Sequence, residues 1–193
     1  MNARRATRAA LLTLATALLP AALLPACVSD TSSPPAESPE VAPERILATP
    51  RGLPPFAFET VDGRELSSGT LAGRITVIGF LTTYDAASQA QARILADLLR
   101  EHTPRLNVAA LALEPPENLP LVEAFARSLR LPYPMALADA QTVAGEGAFQ
   151  GLHHVPSVVI LDRKGREVYR RLGLAPRGIL EEVLQTIERR NDP

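Results

Sequence analysis

The stretch that most limits what this chain can fold into runs from Arg74 to Arg100, RITVIGFLTTYDAASQAQARILADLLR. Its first part, Ile75 to Leu81, is a β-branched apolar run bounded by turn residues and too short for a free helix. It reads as a buried strand. A polar break, Thr82-Thr83-Tyr84-Asp85, follows at once. From Ala86 the period changes: Ile94, Leu95, Leu98 and Leu99 fall on one face of a helix, with Gln89, Arg93, Asp97 and Arg100 opposite. Strand, tight turn and helix N-terminus meet at Tyr84-Asp85-Ala86-Ala87-Ser88, and a functional site is expected there.

The elements around this unit follow from the same patterns. Phe56 to Thr60 alternates, Asp62-Gly63 is a strong hairpin turn signal, and Arg64 to Leu66 returns. Leu106 to Leu113 is a second apolar strand, and the spacing of Leu121, Val122, Phe125, Ala126 and Leu129 predicts a helix over 118–130. Tyr133 to Leu137 is a short edge segment, and Asp139 to Phe149 a short helix containing glycine. Val158 to Leu161, the turn 162–165 and Glu167 to Tyr169 make a second hairpin. A closing helix from Pro176 is expected to bury Ile179, Leu180, Val183, Leu184 and Ile187. With 46% apolar and only 4% aromatic residues, an aliphatic core forms without disulfides. The order predicts an α/β domain over 53–190, a central mixed sheet with helices on both faces.

The first 26 residues read as an address. Arg4, Arg5 and Arg8 precede an apolar run, Ala9 to Leu24, too short and too proline-broken for a membrane span. It ends in Leu24-Pro25-Ala26-Cys27, which resembles a bacterial lipobox. Cys27, the only cysteine, stands where lipidation needs it; the alternative is an ordinary secretory signal. After removal of residues 1–26 the chain carries 17 basic and 21 acidic residues. Residues 27–52 are proline-rich with almost no apolar periodicity, an extended tether. About 25 residues at ~3 Å each reach ~75 Å from a bilayer. The expected architecture is lipid, tether, domain, extracytoplasmic and attached to a bacterial membrane through Cys27. Val28 after the cysteine, in place of an aspartate, favours the outer membrane. Nineteen arginines to one lysine reflect codon usage, since they form no basic stripe that would suit nucleic acid.

Across 54–189 the chain resembles thioredoxin-like proteins of the TlpA/redoxin (AhpC/TSA-like) type. The resemblance rests on PPFAFETVDGRELSSGTLAG, VIGFLTTYDAAS and VPSVVILDRKGREV. It implies a thioredoxin-like fold and a cis bond before Pro156, which would face the site. Such families carry Trp-Cys-x-x-Cys where this chain has Tyr84-Asp85-Ala86-Ala87-Ser88. Gln91 stands where relatives often have an acid, and Arg93 where they often have a helix proline. Asp85 is a good N-cap but forms no mixed disulfide, and Ser88 has no exchange chemistry at neutral pH.

Other chemistry finds little support in the sequence. No histidine is placed to activate Ser88. His153-His154 are expected to point apart along an extended segment, without cysteine partners for a metal. No glycine-rich phosphate loop occurs and no cofactor is implied. Tyr84 either stacks on a ligand or covers the site. Two functions stay open. One is a binding or scaffolding lipoprotein that holds an extended segment of a partner protein in a groove formed by Tyr84, Asp85, Val155 and Pro156. The other is a thiol:disulfide oxidoreductase or peroxiredoxin-lineage redoxin using a partner's thiols.

Overall fold

The protein is known as a computed structural model that describes residues 46–191. Cys27, the signal segment and most of the tether lie outside the described residues. In chain order the elements are β1 (Ala57–Glu59), β2 (Glu65–Ser67), β3 (Ile75–Leu81), α1 (Ala86–His102), β4 (Leu106–Ala112), α2 (Leu119–Ser128), β5 (Met135–Leu137), α3 (Ala140–Val143), β6 (Ser157–Leu161), β7 (Glu167–Leu172) and α4 (Arg177–Asn191). Single 3₁₀ turns occupy Pro116–Asn118 and Gly147–Phe149.

β3 is the centre of a five-stranded sheet ordered β5-β4-β3-β6-β7. All seven of its residues are buried, as the unbroken apolar run requires of a strand covered on both faces. It runs parallel to β4, which runs parallel to β5, and antiparallel to β6, which pairs antiparallel with β7. Side chains alternate across it. Ile75, Val77 and Leu81 join Leu95 and Leu98 of α1, Val122 and Phe125 of α2, and Leu180, Val183, Leu184 and Ile187 of α4 in one core. Ile78 and Phe80 face Phe58 and Leu66 of the β1–β2 hairpin and Phe149 and Leu152 of the α3 region in another. Each such side chain contributes about 1.5–3 kcal/mol by leaving water. Phe149 anchors the second core, with its ring centroid 5.0 Å from Phe80 and 4.9 Å from Phe56. Gly79 sets how closely α1 approaches the sheet: a Cβ there would stand 2.6 Å from Leu95 Cδ1.

Three details differ from the sequence reading. Leu121 and Ile179, expected inside, are 55% and 38% exposed. The actual seams are Val122 with Phe125, and Leu180, Val183, Leu184 and Ile187, so each outlier lies one residue, or about 100° of helix, off its seam. The segment 139–149 is two short pieces, because Gly145 and Gly147 at φ 74° and 71° interrupt the helix between them. Thr103–Pro104 is cis as well as Val155–Pro156.

Both sheet edges are met by chain from upstream of β3. Along β7, the Leu47 N–H donates to the Val168 carbonyl, and Arg51 and Glu167 exchange both backbone bonds, all at 2.8 Å. The chain is laid on the sheet from this point, ahead of Leu53. Along β5, Thr60 bridges Ala136 and the Val61 N–H donates to the Met135 carbonyl. Among the described residues no helix is long and apolar enough to cross a membrane.

Candidate functional site

The pairing directions decide where the site lies. β3, β4, β5 and β7 all point the same way, so their carboxyl ends share one end of the sheet. α1 starts there, directly after β3, and β6 enters there from Val155–Pro156. The register Phe80↔Ser157 sets Leu81 opposite Pro156 and Thr82 opposite Val155. The sequence-predicted pieces, Tyr84 to Ser88 and Val155–Pro156, therefore meet at adjacent strand ends. The Val155–Pro156 bond is cis, as expected, with Pro156 buried and Val155 half-buried.

Asp85 is the N-cap of α1, with extended backbone at φ −107° and ψ 128°. Its Oδ1 accepts from the Ala87 N–H at 3.1 Å, and its Oδ2 from the Ser88 N–H at 2.8 Å. The Ser88 hydroxyl donates to the same Oδ2 at 2.9 Å. That hydroxyl bond, against the cost of partial burial and with the two backbone N–H bonds added, holds the Asp85 carboxyl below the usual carboxylate range. Ser88 is wholly buried, and its Oγ also accepts from the Thr82 N–H at 3.1 Å. Its proton and a lone pair are thus both engaged: the hydroxyl ties the end of β3 to the start of α1. Such a group is a structural clasp and a poor nucleophile.

Tyr84, by contrast, is 77% exposed; it stands out from the site and does not cover it. Other large apolar side chains are exposed at the same end: Leu119 and Leu121 open α2 beyond β4, and Leu172 and Leu174 end and follow β7. The His153 and His154 rings lie exposed with centroids 4.7 Å apart. This corrects the expectation that they point apart, because the chain turns just before Pro156.

Two residues of the site were not legible as such. Glu114, 1% exposed, accepts from the Thr83 N–H at 2.5 Å and from the Asn118 side-chain amide at 2.8 Å. It joins the Tyr84 loop to the turn that presents Leu119. The only sequence hint is a carboxylate ending an apolar run before Pro115-Pro116. Gln91, assigned from resemblance to an acid's position, is wholly buried, and its Oε1 accepts from the Ala175 N–H at 2.7 Å. It pins the segment after β7 to α1. Its Nε2 and the Thr82 Oγ1 have no hydrogen-bond partner among the described residues.

Comparison with solved structures fits this geometry. The chain is similar to a DsbF homologue from Corynebacterium diphtheriae at TM-score 0.66 and 16% identity, covering 77% of this chain and 96% of that one. It is also similar to a secreted thiol-disulfide isomerase from Corynebacterium glutamicum at TM-score 0.66 and 16% identity, covering 78% and 94%. StoA from Bacillus subtilis aligns at TM-score 0.57 and 18% identity, covering 69% and 98%. No protein-family model matches the chain, and no curated protein matches it by sequence. The fold is thioredoxin-like, an α/β domain around a mixed sheet. The chain's single cysteine excludes a Cys-x-x-Cys pair within it.

Proposed function

We propose that this is an extracytoplasmic thioredoxin-like lipoprotein, anchored through Cys27 and held out on the proline-rich residues that follow it, whose domain, from residue 46 onward, binds an extended segment of a partner protein. Binding would use Tyr84, the Asp85 helix start and the Val155–Pro156 edge, with no thiol exchange. One observation carries the reading. The site end of the sheet exposes Tyr84, Leu119, Leu121, Leu172 and Leu174 around a polar centre whose hydroxyl is fully engaged. Exposed apolar side chains gathered at one end of a domain favour a protein contact, whereas a clasped serine and a capping carboxylate favour no covalent step. The secreted character of one similar protein, by its own description, agrees with an extracytoplasmic location.

A photo-crosslinking side chain at position 84 tests the contact in membranes. Crosslinks to a discrete protein that Leu119→Asp abolishes are expected; indifference to that change would break the reading. An insulin-reduction assay on the unmodified chain separates the alternative. No activity is expected, and turnover without added thiol protein would replace binding with oxidoreductase chemistry.

A further inference from the structure

We propose, on the binding reading above, that Glu114 is a positioning residue of the contact surface. It holds Tyr84 and Leu119 at one fixed spacing, so that the partner is selected by two apolar side chains that must reach both at once. The register Leu81↔Ala112, carried two residues on, brings Glu114 level with Thr83. There its Oε1 accepts from the Thr83 N–H, the residue before Tyr84. Its Oε2 accepts from the Asn118 side-chain amide, the residue before Leu119. Tyr84 and Leu119 are 77% and 41% exposed, so each contact residue stands one position beyond a donor that Glu114 holds.

Stability does not explain the residue. Glu114 is 1% exposed and both its partners are neutral; among the described residues no arginine, lysine or histidine pairs with it. Taking a carboxyl group out of water without a cation is costly, and an apolar side chain of similar volume in such a place is often neutral or stabilising. Neither donor requires the carboxyl. Thr83 and Asn118 are half-buried, within reach of water, and the Asn118 side chain makes no bond to α2, whose N-cap it occupies. Position 114 also follows directly on the apolar run Leu106 to Leu113, where a leucine or methionine would continue the pattern. What the carboxyl supplies is a short link with an acceptor at each end. Bonded at both oxygens and packed on all sides, it fixes the separation of two segments that the chain itself leaves independent.

The test follows the full chain by amide chemical shifts, by thermal unfolding and by photo-crosslinking from position 84 in membranes. Asn118→Ala is expected to move the Thr83 and Tyr84 amides, to which Asn118 has no hydrogen bond of its own. In a Glu114→Met background the same substitution should leave them still, because the link is gone. Glu114→Met should melt no lower than the unmodified chain, yet crosslink about tenfold less, as for an anchor displaced from its contact. Glu114→Gln should restore crosslinking, since its amide oxygen takes the Thr83 N–H and its amide nitrogen donates to Asn118 turned the other way. A lower melting temperature for Glu114→Met would mark a merely structural residue and overturn the proposal. Shifts from Asn118→Ala that persist in the Glu114→Met background, or undiminished crosslinking, would overturn it too. Coupled shifts with no crosslinked protein in any variant would leave the link standing and sink the binding role, and the selectivity built on it.

Discussion

Along β7 the outer edge of the sheet is occupied by residues 46–51 through three backbone hydrogen bonds, while along β5 the hairpin contributes the Thr60–Ala136 bridge and the Val61 N–H bond to the Met135 carbonyl. The β7 edge is also closed ionically. Glu167, 2% exposed, accepts from Arg51 at 2.5 Å and from Arg170 at 2.8 and 2.9 Å. On the β5 side the hairpin's ion pair, Arg64 with Asp62, is exposed. Both edges are covered by chain, one sealed by a buried carboxylate and the other by a hairpin whose ion pair lies in the open.

The largest expected effect breaks the sealed edge. Glu167→Ala leaves two guanidinium groups without their buried partner and should cost about 3 kcal/mol in urea unfolding, near the low end for a broken buried pair. A loss below about 1 kcal/mol would mean that the Arg51 segment is a loose overlay. A control away from both edges comes next. Asp85→Ala should cost about 1 kcal/mol and Asp85→Asn much less, since an amide still caps, and neither should alter exchange at Leu47 or Val61. A stabilising Asp85→Ala would show a carboxylate kept for function at the expense of stability.

Acid should loosen the hairpin edge. Arg64, with Thr60 assisting, holds Asp62 in the hairpin turn at about 2. A depressed folded value means that its contribution is present above the unfolded value near ~3.9 and fades as pH falls toward the folded one. Between these values, amide exchange at Val61 should quicken relative to Leu47; the effect is small because Asp62 is half exposed. Asp85, also depressed, runs in the same direction. The smallest effect is a gain: Glu59→Gln removes a repulsion across the hairpin and should raise stability by a few tenths of a kcal/mol, measured by thermal unfolding. A loss there would show that the Glu59 and Glu65 carboxylates do not repel across the hairpin.

What the sequence made legible was whatever is encoded locally. The change of period at Ala86 marked β3 and α1, Asp62-Gly63 marked the hairpin, and Asp85 read correctly as a cap. Ser88 and Gln91 sit on a helix as polar letters, and nothing nearby in sequence says that both are buried. Their partners, Thr82 and Ala175, arrive through the fold. Glu114 was hidden for the same reason. Residues 46–51 read as tether because a strand held by a neighbour 116 positions away needs no apolar alternation of its own.

That separation of 116 positions between Arg51 and Glu167 has a consequence in time. A nascent chain holding residues 46–51 has nowhere to lay them until β7 has been made and paired with β6. The closure entropy of so long a loop favours docking after the sheet has assembled. The seam would then be the last part to close and the first to open, so changes at Leu47 or Arg51 should quicken unfolding and leave the rate of folding almost untouched.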